Sequence, residues 1–427
     1  MTTVGSTTAK HHLGVRRLLA VPEFRRLLAS RLASQWGDGL FQAGLAGAVL
    51  FNPERHADPA AVAAGFAVLL LPYSLVGPFA GALLDRWDRR RVLVAANLTR
   101  GLFILLTAIA VGTGMSDVPL YAAALMVTGI SRFVGSGLSA SLPHVVQGDH
   151  LVEANAFATT LGALTAVLGA GSAVGLRMVL GDGDGGSART TCVAIVGSLL
   201  AAYLASRFKP GTLGPDEVDE PSRTITAVAM GLLDGARAAW RTPSVAAVLL
   251  ALLAHRAAFG VSLLLTLLLM RHGIDAGMAG LGQIAIAGGA GILVAGLTTD
   301  RIVDVLGRKG TVTAALLLAA AAQLGLGLPM LLPTILVGSF LLTYVGQVVK
   351  LCVDAAVQGE IGDEVRGRVF ALYDTLFNAT QVAAVSAAAA VVPIDGRSPG
   401  LIVAATATYL IGLGLYLVLL KRSPRQG

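Results

Sequence analysis

The chain has 427 residues, of which 55% are hydrophobic and 13% charged. Soluble domains carry about 25% charged residues, and a mean hydropathy of +0.74 excludes an ordinary water-facing surface over most of the length. The net charge of +7 does not point to nucleic acid, because the basic residues flank apolar segments and no basic-aromatic interleaving is present.

In chain order, Arg16, Arg17, Arg25 and Arg26 precede an apolar segment that runs to about residue 51. That run is longer than the core of a cleavable signal and predicts a first transmembrane helix. At about 20 apolar residues per crossing, six spans are expected near 27–51, 60–84, 92–113, 118–142, 154–180 and 189–207. Six more are expected near 244–270, 277–299, 310–330, 333–356, 367–392 and 399–420. The runs are continuous rather than alternating, so they are helices and not barrel strands. The one long polar stretch, 208–243, opens KPGTLGPDEVDEPSR and continues ITAVAMGLLDGARAAW. It reads as a linker followed by a short amphipathic helix lying along the membrane face, or by a solvated linker helix.

The great majority of Lys and Arg fall on one side of this topology. By the positive-inside rule both termini and the linker are expected to be cytoplasmic, in a multi-pass inner-membrane chain. Cys192 and Cys352 lie in apolar stretches with no Cys/His neighbours. They read as packing residues, and no metal or other cofactor is expected.

Two landmarks repeat about half a chain apart. GALLDRWDRRR follows the second span, and GLTTDRIVDVLGRK follows the eighth. Val146-Gln147-Gly148 precedes the fifth span, and Val357-Gln358-Gly359 precedes the eleventh. The chain is therefore read as six helices repeated in one orientation, a parallel transporter-type repeat. The expected fold class is an all-α integral membrane protein, twelve transmembrane helices in two six-helix pseudo-symmetric bundles. The units are 1–207, a linker at 208–243, and 244–427.

With its two halves, central linker and Gly-x-x-x-Asp-Arg turns, the chain resembles the major facilitator superfamily over nearly its whole length. The first turn is similar to that family's signature loop at Gly81, Asp85, Arg86, Arg89 and Arg90, and departs from it at Asp88, where the pattern has Gly. The second copy offers Gly296, Asp300 and Arg301. The stretches SQWGDGLFQ, SRFVGSGLSASLPHVV, LVEANAFATTL and RGRVFAL resemble the branch that contains macrolide-type drug exporters. The glycine-proline motif of many antiporters of the family is not matched in span five. That span holds Gly162, Gly169, Gly171 and Gly175 without proline, a spacing that lets helices approach closely.

Ionisable groups inside spans are functional candidates. Asp38 lies midway through span one with Gln35 and Gln42 on the same face and Trp36 adjacent; Arg132 is midway through span four, and Arg256, beside His255, midway through span seven. In the family that this chain resembles, spans one, four, seven and ten line the central cavity. That implies Gln35, Trp36, Gln42, Arg132 and Arg256 at the substrate path. Asp38 is the candidate proton carrier, the alternative being a fixed ion pair with Arg132 or Arg100. His255 is a second titratable candidate, its alternative being a packing role. Lys350 and Asp354, four apart, are expected to neutralise each other. Asp374 is a gate candidate, close enough to the interface to pair with Arg366 or Arg368. The two turns are expected to act as cytoplasmic latches, with the glycines allowing close packing and the first latch stronger than the second.

No GxxxxGK[ST] loop, HExxH or GxSxG is present, so neither ATP-driven pumping nor hydrolytic catalysis is expected. GDGDGG at 181–186 lacks the later Glu of a calcium loop and reads as a turn. The function implied is secondary transport by alternating access, with protons, a small-molecule substrate and membrane lipid as partners. The first reading is proton-coupled export of amphipathic small molecules. The second is transport of a lipid, a siderophore-like or another anionic or zwitterionic metabolite. A non-transporting membrane sensor or assembly partner is the alternative from another class.

Overall fold

The computed structural model describes residues 18–50, 59–75, 87–115, 117–146, 151–181, 183–214, 224–273 and 277–422. The first half contains α1 (Pro22–Leu50), α2 (Pro59–Leu75), α3 (Arg89–Gly112), α4 (Asp117–Ser141), α5 (Leu151–Leu180) and α6 (Asp184–Ser206). The linker carries α7 (Thr224–Arg241). The second half contains α8 (Pro243–Leu268), α9 (Gly277–Gly327), α10 (Leu332–Glu360), α11 (Asp363–Ala389) and α12 (Pro399–Arg422). Gly81, Asp85 and Arg86, three residues of the first expected latch, lie outside the described residues.

Eight helical segments among the described residues are long and apolar enough to cross a membrane. One of them, Gly282–Gly327, has 46 residues. At 1.5 Å per residue it is roughly 70 Å long, about twice a bilayer core. It therefore serves as two spans, and the bend falls at Gly307, with φ 65° and ψ 164°. That combination of angles is essentially open to glycine alone. The expected turn after the eighth span thus holds a sharp kink at Gly307, where one helix ends and the next begins.

The halves pack as two bundles. In the first, α1 lies on α5 and α6, and α3 on α4 and α6. In the second, α8 lies on α10, α11 and α12, and α9 on α10 and α12. Close approach of α1 and α5 depends on missing side chains: a Cβ on Gly169 would fall 2.1 Å from the Trp36 carbonyl oxygen. Gly171 and Gly175 have open space where a Cβ would sit, so the expected glycine packing of span five reduces to Gly169 and, more loosely, Gly162.

Four buried apolar clusters hold the described residues, and one of them draws on both halves. It joins Val62 and Ala63 of α2 to Leu264, Leu265 and Leu268 of α8 and to Val385 and Ala388 of α11. All of these lie at the end of the molecule away from the linker. The linker helix α7 packs on α11. Its Gly235 lies so close that a Cβ would come within 2.6 Å of the Arg368 carbonyl oxygen.

Candidate functional site

The first-half site is built on a buried pair. Arg100 of α3, fully buried, donates from Nη1 to Asp38 Oδ1 of α1 at 2.9 Å. The same nitrogen donates to Ser34 Oγ at 2.8 Å, and Nε donates to Ser198 Oγ of α6 at 3.0 Å. Ser131 of α4 donates to Asp38 Oδ1 at 2.6 Å. One carboxylate and one guanidinium thus tie four helices together. Of the two arginines expected as partners, Arg100 is the one that pairs with Asp38. Adjacent residues on a helix point about 100° apart, so with Ser131 on Asp38 the neighbouring Arg132 faces elsewhere.

The other α1 candidates diverge from Asp38. Gln35 lies beside Gly162 of α5, and Trp36 donates from Nε1 to Ser172 Oγ of α5 at 3.2 Å. Gln42 is half-buried. The stripe Gln35–Asp38–Gln42 is therefore split, with Gln35 turned to α5 and Asp38 to α3 and α4.

In the second half, Arg256 and His255 face different neighbours. His255 is buried, its ring 5.7 Å from those of Phe259 and Tyr409. Gly346 of α10 abuts it: a Cβ there would meet Nε2 at 2.3 Å. It packs inside the second bundle among α8, α10 and α12. Arg256 donates from Nη2 to Gln381 Oε1 of α11. Its guanidinium carbon lies 3.7 Å from the centroid of Phe377 and 5.8 Å from that of Phe259. No acid forms an ion pair with Arg256 among the described residues. Lys350 and Asp354 of α10 do pair, at 2.8 Å, as their spacing predicted.

Asp374 of α11 is exposed, and the charges acting on it are Arg132 of α4, Lys350 and Asp354. Arg132 belongs to the first half, so its charge acts on Asp374 across the two halves. The expected pairing of Asp374 with Arg366 or Arg368 is corrected. Arg366 donates to the Ile361 carbonyl oxygen at 3.0 Å, and Arg368 donates to Asp234 of α7 at 3.2 Å. Both arginines stand near the start of α11, about two turns from Asp374 in sequence, but are drawn toward the end of the bundle.

The linker-side ends of the bundles carry two further networks. Buried Arg89 donates to the Ala140 carbonyl oxygen at 2.9 Å and lies 2.9 Å from His144 Nε2. Arg90 donates to the Ser206 carbonyl oxygen at 3.0 Å. Asp88, which departs from the family pattern, accepts from the backbone N–H of Arg90 at 3.0 Å as the N-cap of α3. In the second half Asp300 and Arg301 are exposed, and neither forms an ion pair among the described residues. The expected close packing at Gly296 is also corrected, since nothing lies within 4 Å of a Cβ there. The contacts run instead through Glu360, which accepts from Arg308 of α9 at 2.5 Å and from Ser244 of α8. Sequence reading passed over Glu360. The signal was present: an acid follows Val-Gln-Gly in both copies, Asp149 and Glu360; Asp149 lies outside the described residues.

A family model for the Major Facilitator Superfamily matches residues 32–385. Two proteins described as MFS-type transporters, from Mycobacterium bovis and Mycobacterium tuberculosis, are each 44% identical over 412 residues, which cover 95% of this chain and 93% of theirs. Among solved structures, the nucleoside transporter NupG superposes with a TM-score of 0.66 at 13% identity, over 94% of this chain and 98% of its own. A bacterial homologue of the human lysosomal transporter Spinster, in an inward-facing and unoccupied conformation, superposes with a TM-score of 0.61 at 15% identity, over 95% of this chain and 99% of its own.

Proposed function

The chain belongs to the major facilitator superfamily of multi-pass membrane transporters, and we propose that it exports amphipathic small molecules whose polar end is anionic, by proton-coupled alternating access. The units 1–207 and 244–427 rock about the central path, with 208–243 joining them and the linker side in the cytoplasm of an inner-membrane protein. On that orientation the apolar seal through Val62, Ala63, Val385 and Ala388 belongs to an inward-facing state. The direction rests on the resemblance of spans one, four, five and eleven to macrolide-type exporters.

The observation that carries the substrate class is Arg256. It sits midway along α8, half-buried, held by Gln381 and by aromatic faces rather than by an acid. A charge inside the membrane is costly unless something neutralises it. An anionic group on the substrate would do so, while Phe377 and Phe259 offer apolar faces to its body. Coupling is assigned to Asp38. A proton on that carboxylate would remove the charge that holds Arg100, and so loosen the four-helix junction as access alternates.

A matched set of probes tests the class: 4-phenylbutyrate, 4-phenylbutanol and 4-phenylbutylamine, which share a body and differ in end group. The carboxylate should stabilise the purified protein most in thermal unfolding, and Arg256→Gln should erase its advantage over the alcohol. A stronger response to the amine would overturn the anionic assignment.

A further inference from the structure

The linker helix α7 has an unusual outward face. Gly231, Gly235 and Ala239 turn inward, and Ala239 is buried in the second bundle's core. Met230, Leu233 and Trp240 are 56%, 50% and 67% exposed, and Arg237 and Arg241 share their side of the helix. A helix whose side faces water carries polar groups on that face. Large apolar side chains and tryptophan interleaved with arginine suit the boundary between headgroups and acyl chains.

Beside this face lies a recess of about 500 Å³, lined among others by Arg237, Arg241, Arg368, Asp234 and Glu360. Its acids are already engaged. Asp234 accepts from Arg237 at 3.4 Å and from Arg368 at 3.2 Å, and Glu360 is held by Arg308 and Ser244. The Arg241 guanidinium has no partner among the described residues. The recess therefore offers donors and positive charge where a phosphate group would enter, next to an apolar strip where acyl chains would lie.

We propose that α7 is a docking site for an anionic phospholipid. Its phosphodiester group sits in the recess against Arg237 and Arg241, and its chains run under Trp240, Leu233 and Met230. The lipid also competes with Asp234 for Arg368, at the start of α11. That helix carries Asp374, Phe377 and Gln381, so the bound headgroup acts on the element that faces Arg132 and Arg256. This assignment needs a membrane-embedded chain and does not depend on the substrate class.

The chain has three tryptophans. In a Trp36→Phe/Trp87→Phe background, Trp240 becomes the sole reporter. The protein is placed in phosphatidylcholine nanodiscs containing a small fraction of lipid with brominated chains, either phosphatidylglycerol or phosphatidylcholine. Brominated phosphatidylglycerol should quench Trp240 several-fold more per molecule. That preference should fall in Arg241→Gln, vanish in Arg237→Gln/Arg241→Gln, and shrink at high salt. Quenching by uniformly brominated phosphatidylcholine should survive both substitutions, which reports that α7 remains folded and seated. Equal quenching by the two lipids in the unsubstituted recess would overturn the proposal. So would the absence of quenching in any bilayer, or loss of the preference to millimolar inorganic phosphate, which would mark a site for soluble anions.

Discussion

Arg100 and Asp38 meet 2.9 Å apart, with 1% and 13% of their side-chain surfaces exposed, at the junction of α1, α3, α4 and α6. Each charge is tolerable there because of the other. Removing one leaves an uncompensated buried ion, which costs about 3–5 kcal/mol, whereas replacing both with neutral groups of similar shape is far milder. Arg100→Gln alone should sharply lower the thermal stability of the purified protein, and Asp38→Asn/Arg100→Gln should recover most of the loss. A double variant as unstable as the sum of the two single ones would mean that the pair carries no coupling.

Asp88 stands where the family pattern has glycine, and its carboxylate caps α3. Replacing an N-cap aspartate with alanine costs about 1 kcal/mol, and with glycine only a few tenths. Asp88→Ala should therefore lower the denaturation midpoint measurably, while Asp88→Gly and Asp88→Ser stay near the native value. Equal losses for Ala and Gly would remove the cap from the explanation of this residue.

Gly307 makes the bend that turns one long helix into two spans. A side chain at φ 65° and ψ 164° is strained by about 1–3 kcal/mol. Gly307→Ala should reduce stability and the yield of folded protein in the membrane, although nothing lies within 4 Å of the added Cβ. A neutral effect would show that the bend tolerates an ordinary residue.

At the linker-side end of the second half, Glu360 ties α9 to α8 and α10, while Asp300 forms no ion pair among the described residues. Glu360→Gln should slow transport at equal expression more than Asp300→Asn, and the latter should change stability by less than about 0.5 kcal/mol. The reverse order would return the latch to the Asp-Arg turn.

The spans were legible because runs of about 20 apolar residues have no soluble alternative. That length places α12, expected near 399–420 and found at Pro399–Arg422, but not the start of α6, which lies at Asp184, five residues before the expected 189. Lys350–Asp354 was legible because both residues share one helix turn. Contacts between distant helices were not. Nothing in the sequence distinguishes Arg100 from Arg132 as the partner of Asp38, since the choice depends on how α3 and α4 are rotated about their axes. For the same reason Asp374 was assigned to arginines near it in sequence, whereas those arginines bond elsewhere and Arg132 of the other half is among the charges that act on it. The roles of Asp88 and Glu360 depend on backbone geometry and on a neighbouring helix, and the Asp-Arg motif drew attention away from both.

Two halves that exchange access must part at one end of the molecule as they close at the other, and distances at both ends test that most directly. With Cys192 and Cys352 replaced, spin labels at Thr113 and Ile394 report the end away from the linker, and labels at Arg91 and Lys309 report the linker end. In lipid nanodiscs, moving between acidic and basic buffer should shift populations in opposite directions at the two ends, one widening as the other closes, and Asp38→Asn should hold a single population. A single unchanging distance at each end of the native protein in both buffers would contradict alternating access driven through Asp38.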